Sequence, residues 1–173
     1  QVFCQIMYRL VVKGTKGKHE SNVTHTPPHL IRPWGLCFGN MNVSGCFFLF
    51  LQKWDTTLEQ IATDHAALCD FSHNSDRTTQ AQIFSSVGEN IFMQTGGYDE
   101  ESAVQIWYDE EPDYTYSTNE CTPGKASGHY TQVVWADTDN VGCGIKFCTT
   151  LIMPSPSPPA SDAYFIVCNY ATR

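Results

Sequence analysis

The sequence is short of positive charge. Ten Lys and Arg face eighteen Asp and Glu in 173 residues, a formal net charge of −8. That deficit excludes a nucleic-acid surface, which needs clustered basic side chains, and a polybasic membrane anchor. Long apolar runs are also lacking. The stretch Gly45 to Leu51 is too short to cross a bilayer, so no transmembrane segment is expected. No CxxC pair, zinc-finger spacing or HExxH helix is present, and no Ser or Cys nucleophile has a recognisable base. The first two absences leave disulfides as the reading of the cysteines, the others argue against hydrolytic chemistry, and the expectation is a protein that is not an enzyme. The chain opens on Gln1 with no charged-then-apolar leader, so a signal peptide is expected to be absent from it.

Cysteine, in contrast, is abundant. Eight in a chain of this size point to an oxidising compartment, hence a secreted, extracellular protein. The length suits one domain with a two- or three-layer core. Charge divides the chain near position 53. Gln1 to Lys53 holds six bases and one acid (Glu20), whereas Trp54 to Glu120 holds fourteen acids and one base, Arg77.

Residues 1–53 show no helical period, because Gly and Pro interrupt every run. Asn22-Val23-Thr24 and Asn42-Val43-Ser44 are glycosylation sequons. Pro27-Pro28 forbids the helix that would bring His25 and His29 to one face, so no metal site is expected there. This segment is expected to be atypical, either non-native or disordered. Phe47 to Gln52 even reads as a translated pyrimidine-rich splice acceptor ending in CAG.

From Trp54 onward the pattern sharpens. A helix is predicted to run to about Cys69, capped by Asp55 or Thr56, with Thr56 and Glu59 as a capping box. Leu58, Ile61, Ala62, His65, Ala66 and Cys69 form its apolar stripe, where His65 reads as packing rather than ligand. Phe71 to Asn74 is a turn, and Gly88 to Phe92 a short element. A second helix is predicted over Tyr98 to Glu110, with Asp99, Glu100 and Glu101 in its first turn. Its inner stripe is Ala103, Ile106, Trp107 and Glu110, and Pro112 ends it. Gly128 to Thr138, rich in β-branched and aromatic residues, is predicted as the central strand, with His129 at its mouth. Val141 to Thr149 and Ala163 to Tyr170 are two more strands, joined by an extended Pro-rich loop over 154–159. Helices early and strands late predict an α/β fold, a sandwich around an antiparallel sheet.

Five motifs in this order resemble the CAP superfamily of cysteine-rich secretory proteins, antigen-five allergens and pathogenesis-related proteins. They are Gly128 to Trp135, Phe165 to Tyr170, Gly88-Glu89-Asn90, Trp107 to Glu110, and the helix from Trp54-Asp55 into Cys69 to His73. The run from Thr131 to Thr138 is most similar to glioma-pathogenesis-related and peptidase-inhibitor-like members. The resemblance implies an α-β-α sandwich with a central antiparallel sheet, here with the family's first helix missing or replaced. It assigns 54–173 to the CAP domain, cut short at its C-terminal end before the second signature closes.

It further implies that His73, Glu89, Glu110 and His129 converge in one cleft. Two imidazoles and two carboxylates can serve a divalent cation, the histidines as direct ligands and the glutamates behind them or through water. Zinc is the first expectation, and no organic cofactor is expected. The family is associated with sterol or fatty-acid binding, for which Tyr114, Tyr116 and the loop through Gly124 are contact candidates. An extracellular protein partner, as in receptor or channel modulation, and a metal-dependent peptidase are the alternatives. Cys143 and Cys148, five apart, face opposite ways on a regular strand and cannot pair with each other. The resemblance implies Cys69–Cys148 and Cys143–Cys168. Cys121 is orphaned, because Ser127 stands where some relatives carry its partner, and Cys4, Cys37 and Cys46 have no assignable partners.

Overall fold

A computed structural model describes residues 52–172. The expectations for Cys4, Cys37, Cys46, both sequons and nearly all of the 1–53 segment lie outside the described residues.

Strand β1 (Lys53–Trp54) leads into helix α1 (Thr56–Ala66). Asp55 is the N-cap, its carboxylate accepting the free first-turn N–H groups of Thr57 and Leu58. The capping box predicted for Thr56 and Glu59 does not form. With Asp55 as cap, Glu59 stands one position too late, and it accepts the Trp54 indole N–H at 2.6 Å instead. The helix stops at Ala66 rather than Cys69, whose positive φ of 52° breaks the helical path. The predicted stripe is otherwise the buried one. His65 is buried within it, its Nε2 2.7 Å from the Ser72 carbonyl and its ring edge-on to Phe165, a packing role as expected.

A five-residue helix α2 (Arg77–Ala81), not expected from the sequence, precedes strand β2 (Val87–Thr95). Helix α3 (Glu100–Tyr108) is shorter than predicted, and Pro112 sits in a single 3-10 turn (Glu111–Asp113) that follows it. Ala103, Val104 and Trp107 are its buried residues, whereas Ile106 is 48% exposed, against expectation, because it stands beside an open cavity. Short strands β3 (Tyr114–Thr115) and β4 (Glu120–Cys121) form a separate hairpin.

The largest correction concerns the predicted central strand. Gly128–Val133 is a helix, α4, and 134–139 has no strand. Its β-branched and aromatic residues favour a strand only if a sheet neighbour accepts them. Here the Glu110 carboxylate accepts the N–H groups of His129 and Tyr130, which strand pairing would otherwise require, at 3.0 and 3.2 Å. A helix start is thus capped from another element, and tertiary contact overrides local propensity.

Strands β5 (Asn140–Leu151) and β6 (Ala160–Ala171) fall where predicted, only longer. The main sheet has the order β1-β5-β6-β2, antiparallel except for the two-residue β1 beside β5. Helix α1 lies on one face over Phe165 and Val167. Helices α3 and α4 lie on the other, over Ile166, Cys168 and Tyr170. The α-β-α sandwich is therefore as expected. Gly142 and Gly144 let α1 rest directly on β5. A Cβ on either would fall 2.2 Å from Glu59 N or 2.4 Å from Thr63 Cα.

Both implied disulfides are present. Cys143–Cys168 joins directly opposed residues of β5 and β6, and Cys69–Cys148 ties the end of α1 to the sheet. Cys121 is free and exposed.

Candidate functional site

Three of the four sequence-predicted residues, His73, Glu110 and His129, line one cavity of about 450 Å³ together with Phe71, Ile91, Phe92, Met93, Ile106 and Trp107, and the fourth, Glu89, is bonded to His73 from behind. Each imidazole is held by one carboxylate. His73 Nδ1 lies 2.8 Å from Glu89 Oε1, and His129 Nδ1 lies 2.6 Å from Glu110 Oε1.

Glu89 comes from β2 and its side chain is fully buried. Its Oε1 also accepts the Asn74 N–H at 2.9 Å, which fixes the carboxylate behind the turn that carries His73. Its Oε2 has no hydrogen-bond partner in the described structure. Asn74 is itself anchored: its carbonyl accepts from Arg77 Nη1 and its side-chain oxygen from the Asp76 N–H. Arg77 Nε reaches the Val87 carbonyl, so α2 clamps the His73 turn to β2.

Glu110 lies just beyond α3 and accepts three bonds, from His129 Nδ1 and from the N–H groups of His129 and Tyr130. The His129 ring stacks on Trp107 with centroids 6.3 Å apart, and Asn90 Nδ2 donates to the His129 carbonyl. Asn74, Arg77, Asn90 and Trp107 were not read as site residues. Asn90 and Trp107 lie within the Gly88-Glu89-Asn90 and Trp107 to Glu110 motifs, and the lone base Arg77 in an acidic stretch is the one signal for the clamp.

An ionised carboxylate only accepts hydrogen bonds. A neutral imidazole beside it donates from Nδ1, which leaves its lone pair on Nε2. No protein group takes either Nε2 among the described residues. Among those residues, no three His, Cys, Asp or Glu are grouped as ligands for one metal ion. The glutamates are thus engaged with the imidazoles and the backbone, and the two Nε2 atoms are left as hydrogen-bond acceptors or metal ligands.

Neither Tyr114 nor Tyr116 lines the cavity. Tyr114 packs against Tyr130, with centroids 6.0 Å apart, and its hydroxyl donates to Asn119 Oδ1. Tyr116 is 77% exposed. Tyr108 meets Tyr130 edge to face. Partial burial and the nearby Glu111 carboxylate push the Tyr108 hydroxyl up to about 12 and raise that of Tyr130 as well.

Residues 51–170 match the model of the cysteine-rich secretory protein family, CAP. The chain belongs to the CAP family. Among its relatives, Peptidase inhibitor 16 of Mus musculus is 38% identical over 119 residues, covering 68% of this chain and 22% of that protein. Pathogenesis-related protein PRMS of Zea mays is 36% identical over 170 residues, covering 95% of this chain and 87% of the relative. The solved structure of Schistosoma mansoni venom allergen-like protein 4 superimposes with a TM-score of 0.56 at 28% identity, covering 72% of this chain and 69% of that one. The chain spans less than a quarter of the length of the peptidase inhibitor 16 relatives that it matches. Within this CAP domain, no helix among the described residues is long and apolar enough to cross a membrane.

Proposed function

We propose that this CAP domain is a secreted, non-catalytic binding module in which His73 and His129 hold a divalent cation, zinc before others. The observation that carries the reading is the pair of imidazoles, each held at Nδ1 by a carboxylate, that line one cavity. Carboxylate–histidine pairs of this kind orient a ligand nitrogen and raise its basicity. His73 and His129 are the ligands, with Glu89 and Glu110 behind them, and zinc suits imidazole with water in the remaining positions. When bound, the ion would act as a Lewis acid. Secretion is supported by the two disulfides, which persist in oxidising compartments. Calorimetric zinc titration of the wild type against His73→Ala/His129→Ala tests the reading. Binding by the wild type alone supports it, and equal, negligible binding by both ends it.

A second reading, sterol or fatty acid held at the aromatic loop, is favoured by the exposure of Tyr116 beside the Tyr114–Tyr130 contact. Saturable sterol binding that survives loss of both histidines would separate it from the first. An extracellular protein partner and a metal-dependent peptidase have no feature of the site in their favour beyond those already given.

A further inference from the structure

The cavity has a chemical bias that a bare metal ion does not use. Six of its nine lining residues are apolar, and Phe71, Phe92 and Trp107 contribute aromatic rings. No Lys or Arg lines it. Its polar groups are two imidazoles and Glu110, and Glu89 stands directly behind His73.

The hydrogen-bond pattern decides which head group this wall accepts. In the neutral rings both Nδ1 hydrogens are spent on carboxylates, so both Nε2 atoms accept rather than donate. An anionic head would meet two lone pairs backed by two carboxylates. A cationic head that carries hydrogens meets acceptors, with negative charge behind them and aromatic faces beside them, which attract cations. A neutral hydroxyl would find the acceptors but gain nothing from the charge.

We infer that the cavity takes a primary ammonium group on a compact apolar body, preferably an aromatic one. The ammonium donates N–H bonds to His73 and His129 Nε2, and the body lies against Phe71, Phe92, Ile106 and Trp107. The inference rests on the reading that both Nε2 atoms are open to an electron-pair acceptor. It also makes ammonium and divalent cation rivals for the same nitrogens.

The test is calorimetry on the full chain, stripped of metal by a chelator, with three probes. These are 2-phenylethylamine, 3-phenylpropionate (the same ring with opposite charge) and methylamine (the head without the body). The expected result is saturable one-to-one binding of 2-phenylethylamine, at least about tenfold tighter than either comparison probe. Each buried methylene should contribute roughly fourfold. Saturating zinc should displace the amine, and His73→Ala/His129→Ala should lose it. Equal or tighter binding of the carboxylate overturns the inference, as does amine binding that persists undiminished once zinc has bound. If the double variant does not fold by circular dichroism, the charge-swapped pair on wild type decides alone. Zinc binding without amine binding overturns this inference and leaves the cation reading intact. Amine binding without zinc binding does the reverse.

Discussion

Replacing Glu110 by Gln changes the His129 site by a few atoms and reverses its logic. The carboxylate accepts two backbone N–H groups of α4 through Oε2 and the His129 Nδ1–H through Oε1. An amide of the same shape keeps its oxygen on the two backbone donors and turns its NH₂ toward Nδ1. Nδ1 must then accept, the ring proton moves to Nε2, and the Nε2 lone pair is lost. Removing such a carboxylate behind a ligand histidine typically costs about 10- to 100-fold in metal affinity. Stability should fall less, because two of three bonds survive. Loss of one charge-assisted bond of ~1.5–3 kcal/mol, partly replaced by the amide contact, leaves a deficit of about 1–2 kcal/mol. That corresponds to a Tm lower by roughly 2–8 °C. Zinc calorimetry and thermal denaturation on the same preparation read both quantities. Zinc affinity within twofold of wild type would refute the reasoning, since His129 would then not depend on Glu110 for its tautomer.

Other consequences follow from the scaffold. Gly144→Ala would place a Cβ 2.4 Å from the Thr63 backbone and force α1 off the sheet. A loss of about 1–3 kcal/mol or more in urea unfolding is expected, and an unchanged midpoint would contradict the close approach. Cys69→Ser/Cys148→Ser opens a 79-residue connection, for which the chain-entropy model predicts a loss of about 4 kcal/mol, read by the same assay. Tyr108, Tyr130 and the buried Tyr170 all have raised hydroxyl pKa values, through burial first and, for Tyr108 and Tyr130, the Glu111 charge. A raised folded pKa means that the unfolded chain ionises first. Their contribution is therefore complete below about pH 10, the ordinary tyrosine value, and declines as pH rises toward about 12. Urea midpoints that stay level between pH 9.5 and 11.5 would show that these rings are not sequestered.

The sheet and α1 were legible because each element carries its signal locally. The stripe of Leu58, Ile61, Ala62, His65 and Ala66 is a period of one helix, and β5 and β6 are continuous β-rich runs between turns. Helix α4 was not legible for the same reason. Its residues favour a strand, and the group that caps it, Glu110, lies 19 positions away from His129. The five-residue α2 has too few residues to show a period, and its contribution works through Arg77 bonds to the Asn74 and Val87 carbonyls. The four His and Glu residues of the site were found through motif resemblance. Their pairing into His73–Glu89 and His129–Glu110, and the apolar wall beside them, come from tertiary packing that spacing alone does not encode.

The central claim is that two carboxylates set the tautomers of His73 and His129 so that both present a bare Nε2 to a shared cavity. Long-range ¹H–¹⁵N correlation spectra of the zinc-free protein, at a pH where the imidazoles are neutral, read that state directly. Both rings should show a protonated Nδ1 and an unprotonated Nε2, with the Nε2 resonances moving on addition of zinc. A protonated Nε2 on either ring under those conditions would contradict the account.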